Sequence, residues 1–238
     1  MRVETYLAGI YTIRLKEPTS HHPEFTLQIT TPNKAHTLTI GLFPKQRPPF
    51  SVETLFESKQ PYCFTTDRDI ADYPRAAREV THGKCIEIGA GLGGLVLELA
   101  QKNVGKITVI DPLDYNQTRA MLLHAQAYAS DQQVCMRIST LLERCRIMHD
   151  KRRVRLINTT LGNALETHPE LLSSADFVID NFGAVYYVNT ESFPELEAHR
   201  KTISCHELQK RALQEITRKE RALLNPQGKL IQCPTPEV

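Results

Sequence analysis

Apolar and polar residues alternate along FTLQITT (25–31) and HTLTIGL (36–42), and the turn formers Pro32, Asn33 and Lys34 lie between them. This pattern predicts an antiparallel hairpin. Pro44, Pro48, Pro49 and Pro61 make residues 44–62 read as a connector. Thr66 or Asp67 is positioned to cap a helix over about 68–81, with Ile70, Ala71, Ala76 and Ala77 inside. From residue 84 the pattern changes to short, continuously apolar runs separated by 3.6-residue periodicity. KCIEIG, KITVID (106–111), RVRLINTTL (153–161), ADFVID (175–180) and KLIQC (229–233) read as buried strands.

Helical spacing fills the intervals. Leu92, Leu95, Val96, Leu99 and Ala100 share one face after the first of these strands. A helix at about 115–129 places Leu122, Leu123 and Ala125 inside, and another at about 131–149 does the same for Val134, Ile138, Leu141, Leu142 and Cys145. A long helical stretch spans about 194–224, and NPQG (225–228) turns the chain into the last strand. Apolar strands alternating with helices predict an α/β fold with a parallel sheet covered on both faces. The hairpin 25–42 is expected either to extend that sheet or to pack beside it as a small module, because an isolated hairpin is marginal in water.

Composition narrows the class. Apolar residues make up 41% of the chain and charged residues 24%, enough for a core without disulfide or metal staples. The six cysteines form no C-x-x-C pair and none has zinc-finger spacing to a histidine, which predicts a reducing compartment and no metal site. Glu4 precedes the short N-terminal apolar stretch, so no signal-peptide layout is present, and no run reaches membrane-span length. A soluble cytoplasmic or nuclear protein without a membrane partner is expected.

The segment Glu87-Ile88-Gly89-Ala90-Gly91-Leu92-Gly93-Gly94 lies at a strand-to-helix junction, where α/β sheets bind ligands. Its glycines permit positive φ and close approach of a ligand. Asp111 ends the next strand, 17 residues after Gly94, where an acid can accept both hydroxyl protons of a ribose. Gly89, Gly91 and Gly94 also satisfy G-x-G-x-x-G, so a nicotinamide or flavin dinucleotide is an alternative. Glu87 separates the two readings. A carboxylate under the turn repels a pyrophosphate and suits a ligand carrying an ammonium and a sulfonium.

The segment therefore resembles motif I, (D/E)-x-G-x-G-x-G, of class I S-adenosylmethionine (SAM) methyltransferases, and Asp111 matches the acid at the end of their second strand. Leu161-Gly162-Asn163-Ala164 is similar to the G-D-A that often follows their third strand, with Asn163 as the acceptor for the adenine amino group. Leu224-Asn225-Pro226-Gln227-Gly228-Lys229-Leu230 resembles the L-x-P-G-G-x-L turn before the fifth strand. The resemblance covers roughly residues 64–233. It implies a Rossmann-like, mostly parallel sheet over 63–238, cut short after the fifth strand, with 1–62 as an N-terminal β-rich region and connector. It implies SAM as cofactor, held by Glu87, Gly89, Ala90, Gly91, Gly93, Asp111, Pro112, Asn163 and Ala164. Thr65, in Phe64-Thr65-Thr66-Asp67, would cover the methionine end; the same segment also reads as an ordinary helix cap.

Asp180-Asn181-Phe182-Gly183 ends the fourth strand. In amino-methylating members of that family this edge faces the methyl group, which makes Asp180, Asn181 and Phe182 the candidate catalytic residues. ADFVIDNFGAVYYV is also faintly similar to a segment of Dot1-type lysine methyltransferases. Alternatively, Asp180 caps a helix and Phe182 packs in the core. Tyr186, Tyr187 and His206 are available as proton acceptors, or as plain structure. Arg144, Arg146, Lys151, Arg152, Arg153 and Arg155 could meet an acidic partner or form a solvated helix end. The second basic stretch, on the long helix, is interleaved with Glu207, Glu215 and Glu220, as a solvated face would be. The functional expectation is SAM-dependent methyl transfer, with a protein amine ahead of RNA or a small molecule. A non-catalytic SAM-binding module and an NAD- or FAD-dependent oxidoreductase are the alternatives, and oligomeric state is left open.

Overall fold

A computed structural model describes residues 3–8, 10–47, 49–56, 73, 76–102, 104–181, 183–184 and 204–233. They form two compact units. One comprises the described residues up to 56 with Leu92–Gly94 and Leu113–Met148; the other comprises Tyr73, 76–91, Leu95–Pro112 and the described chain from His149 to Cys233.

The first unit is built on an antiparallel five-stranded sheet in sequential order: β1 (Val3–Ala8), β2 (Tyr11–Lys16), β3 (Phe25–Thr30), β4 (His36–Leu42) and β5 (Phe50–Phe56). The expected hairpin is present as β3–β4, with Phe25 opposite Leu42 and Thr30 opposite Thr37. It belongs to this separate sheet and does not extend the parallel one. Residues 50–56 are strand, not connector: Phe50, Val52 and Thr54 are buried while Ser51, Glu53 and Leu55 face outward. The prolines stop short of that alternation, and pairing with β4 supplies the ladder.

The inward face carries Ile13, Leu15, Phe25, Leu27, Ile29, Leu38, Ile40, Phe50 and Val52, all buried. Helices α2 (Tyr115–Tyr128) and α3 (Gln132–Met148) complete this unit. Tyr11 meets the His124 ring edge-on and shares a 2.8 Å hydrogen bond with Gln117, while Arg137 lies over the Phe50 ring. Met121, Leu122 and Ala125 are buried, but Leu123 is exposed: it lies one position past the buried stripe of α2.

The second unit is a parallel sheet in the order β8-β7-β6-β9-β10, with β6 at the centre. The strands are β6 (Cys85–Ile88), β7 (Ile107–Ile110), β8 (Val154–Ile157), β9 (Ala175–Asn181) and β10 (Leu224–Cys233). Helix α1 (Gly94–Gln101) follows β6, α4 (Leu161–Thr167) follows β8, and α5 (Cys205–Leu223) leads into β10. This is the expected Rossmann-like α/β architecture. On one face Ile86, Ile88, Ile110, Ile157 and Val178 pack with Leu161, Ala164, Ala212, Ile216 and Leu223 from α4 and α5.

Two local readings change. The third parallel strand stops at Ile157 rather than 161, because Thr160 caps α4 and accepts from Asn163 N. NPQG is a bulge within β10 rather than a turn before it: Leu224 pairs with Ala175 and Lys229 with Phe177, so residues 225–228 stand opposite Asp176. Asp176 fixes the bulge by accepting from Asn225 Nδ2 at 2.6 Å and Lys84 N at 2.7 Å. These donors, Lys84 N foremost, hold its carboxyl below the usual range. No described helix is long and apolar enough to cross a membrane.

Candidate functional site

In a parallel sheet every strand delivers its last residues to one edge, so the segments after β6, β7, β8 and β9 meet there. The glycine turn comes first. Gly89, Gly91 and Gly93 have φ of 68°, 53° and 75°, a region that side chains oppose. Gly89 N donates to Ile110 O at 2.9 Å, and Gly91 N donates to Asp111 Oδ2 at 2.9 Å. Asp111, the residue after β7, thus clasps the turn. It is buried, and Asn158 Nδ2 donates to its carbonyl at 3.0 Å, which ties in the end of β8.

The register decides which side chains share a face. Ile157, Ile110, Ile88, Asp180 and Gln232 form one row across all five strands. In-register residues of a parallel sheet point the same way, and successive residues point oppositely. Asp180 therefore lies on the isoleucine face, beneath α4 and α5. Asn181, one residue on, lies on the other face with Glu87 and Asp111, since Glu87 is in register with Val109 and Ile179. Glu87, Asp111 and Asn181 are all buried.

The structure thus brings together Glu87, Gly89, Ala90, Gly91, Asp111 and Asn181, and places Asp180 on the opposite side of the pleat. Asp180 Oδ1 accepts from Gly183 N at 2.6 Å, closing the turn after β9. Gly183 packs on Gly89 so closely that a Cβ on either would collide with backbone of the other's strand end. The Oδ1 of Asn181 is buried and has no hydrogen-bond donor among the described residues.

Pro112 is half-buried and Ala164 fully buried. Asn163 is exposed on the first turn of α4, where its Nδ2 donates to Thr159 Oγ1 at 2.8 Å; its amide oxygen is the acceptor end. Gly93 belongs to the other compact unit, against Met148 of α3. Thr65, Thr66, Phe182, Tyr186 and Tyr187 lie outside the described residues. His206 is exposed near the start of α5.

The electrostatics around β6 follow burial. The Cys85 thiol, on the same face as Glu87, is pushed far up, first by burial and then by the Glu87 charge, so it remains a thiol. The basic run is largely neutralised in place: Arg146 pairs with Glu143, Arg153 with Asp150 and Arg155 with Glu170, and Arg144 is buried. Glu220, expected with Glu207 and Glu215 on a solvated face, does not lie there. It is buried on α5 and accepts from Gln232 Nε2 at 2.7 Å. Glu215 and Lys219 on the same helix do form the expected solvated pairs, and only the 3.6-residue phase relative to Leu208, Ala212 and Ile216 marks Glu220 as facing in.

No protein-family pattern matches the chain, and no curated protein does. Similar solved structures include a Methanococcus maripaludis protein described as a candidate S-adenosyl-L-methionine-dependent methyltransferase (17% identity, 69% of this chain and 56% of that one, TM-score 0.37). Others are spermidine synthase from Thermotoga maritima (12%, 90% and 64%, TM-score 0.35) and P. horikoshii TYW2 in complex with MeSAdo (14%, 75% and 60%, TM-score 0.32). The chain thus spans less than two thirds of the length of each.

Proposed function

We propose that this chain binds SAM at the carboxyl edge of the parallel sheet and transfers its methyl group to a nitrogen acceptor, a protein amine first among the candidates. The observation that carries this reading is a buried Glu87 at the strand end that leads into the positive-φ glycines Gly89 and Gly91, on the same face as Asp111. The donor set fits the cofactor. Glu87 supplies negative charge for the cationic methionine end, Asp111 supplies acceptors for the ribose, and Asn163 supplies an acceptor for the adenine amino group. A pyrophosphate would meet the Glu87 carboxylate instead, which disfavours a dinucleotide.

When bound, SAM supplies an electrophilic methyl group on a positively charged sulfur. The task left to the protein is alignment. Asn181 Oδ1 is an acceptor for an N–H of the incoming nucleophile, and that bond would turn the nitrogen lone pair toward the methyl. Transfer would form an N–C bond as the S–C bond breaks, and the cationic nitrogen would give up its proton to water. Leaving Asn181 Oδ1 buried without a donor costs about 1–3 kcal/mol, which a substrate N–H would recover. Asp180 shapes the same turn from the far side of the sheet.

Radiolabelled SAM incubated with cell extract and then resolved into protein, RNA and small-molecule fractions tests the reading. Label in protein is expected, and Asn181→Ala should lower it about 10-fold or more. Label in none of the fractions, with S-adenosylhomocysteine (SAH) still bound, would favour a binding module over an enzyme.

A further inference from the structure

Glu220 and Asp180 meet on the isoleucine face. Glu220 is 0% exposed and Asp180 1%. Gln232, in register with Asp180 on β10, donates to Glu220 Oε2 at 2.7 Å and reaches Thr217 Oγ1 at 3.3 Å. The second oxygen, Oε1, is buried with no donor among the described residues. An acid oxygen in that position needs no donor if it carries a proton of its own. Asp180 is the only charged group acting on Glu220 among the described residues, and Gln232 is neutral. Among the described residues no cation acts on Glu220, and two adjacent buried carboxylates resist ionising together. The Gly183 N–H bond favours the charged form on Asp180, so the proton belongs on Glu220. Burial first, then the Asp180 charge and hydrogen bond, push the Glu220 carboxyl up to about 10 against the opposing pull of Gln232.

We propose that Glu220 keeps a proton and donates it to Asp180, fixing the Asp180–Gly183 turn against Gly89 as a positioning residue for the acceptor edge. Its effect on ligand binding rests on the SAM reading above; the proton itself does not. The arrangement puts a polar lock on the side of β9 away from the ligand, while Asn181 keeps the ligand side. Glu220 contacts no reacting atom.

Two measurements on the full chain test the proton. In infrared difference spectra of wild type against Glu220→Gln at neutral pH, a protonated carboxyl band that shifts in D2O is expected. Carboxylate bands alone would overturn the proposal. The second is the melting temperature of both proteins across about pH 6 to about pH 9.5. Burial and Asp180 raise the folded value above the carboxyl's ordinary 4.5, so the stabilisation is fully present below 4.5 and is lost as pH climbs toward about 10. Wild type should therefore lose stability relative to Glu220→Gln as pH rises, and parallel curves would overturn the proposal.

SAH affinity tests the positioning half. Glu220→Gln keeps a donor and should bind within about twofold of wild type, while Glu220→Leu should bind about 10-fold more weakly. Equal affinity in both would remove the positioning role. Failure of wild type itself to bind SAH would instead strike the SAM reading and leave the infrared and melting tests standing.

Discussion

Replacing Asp111 with alanine removes two interactions at once. The first is visible: Asp111 Oδ2 accepts from Gly91 N at 2.9 Å in a buried setting and holds the glycine turn at φ 53°. The second is the proposed pair of ribose hydroxyls. A hydrogen bond to a charged group contributes about 1.5–3 kcal/mol, and 1.4 kcal/mol is about 10-fold in affinity. Loss of the ribose contact alone therefore predicts SAH binding about 10- to 100-fold weaker. Freeing the Gly91 amide in the apo protein adds a stability cost of about 1–3 kcal/mol. Asp111→Asn keeps an oxygen for Gly91 but loses the charge, so it should restore most of the stability and less of the affinity. Calorimetry with SAH, paired with denaturant unfolding, separates the two terms. If Asp111→Ala bound SAH as tightly as wild type while losing stability, the acid would be a turn clasp only and the ribose role would be refuted.

Gly89→Ala should destabilise the protein by more than about 2 kcal/mol, since it combines positive-φ strain with a clash against Gly183; an unchanged denaturant midpoint would mean the two turns do not pack as described. His36 is buried beside Thr54, with Nε2 to Oγ1 at 2.7 Å, and burial lowers its pKa from 6.5 against the opposing pull of Asp114. Its contribution is present above pH 6.5 and lost as pH falls, so wild type should lose melting temperature relative to His36→Gln between about pH 7 and about pH 5; parallel curves would refute a buried neutral imidazole.

The strand-and-helix alternation of the parallel sheet was legible because its strands are short and mostly apolar, and the central ones are buried on both faces, as in CIEI and ITVI. The glycine turn was legible because Glu87 and three positive-φ glycines leave a spacing that few other structures need. The partners of α2 and α3 were not. Periodicity marked many of their buried residues, and Leu123 in error, yet the partners are remote in sequence, with Tyr11 106 residues from Gln117. Strand β5 was hidden by prolines on its flank rather than within it. The division of labour between Asp180 and Asn181 needed register: adjacent letters in a strand fall on opposite faces, and only pairing with Ile88 and Gln232 shows which face is which. Glu220 was hidden for a similar reason, as one acid among several on a charged helix.

The central claim is that Glu87, the glycine turn and Asp111 hold a sulfonium nucleoside rather than a dinucleotide. Titration calorimetry of the full chain with SAM, SAH, NAD and FAD, repeated with Glu87→Gln, tests it most directly. Micromolar binding of SAM and SAH, no heat from NAD or FAD, and weaker SAM binding by Glu87→Gln are expected. Binding of NAD or FAD that tightens when the Glu87 charge is removed would contradict the account.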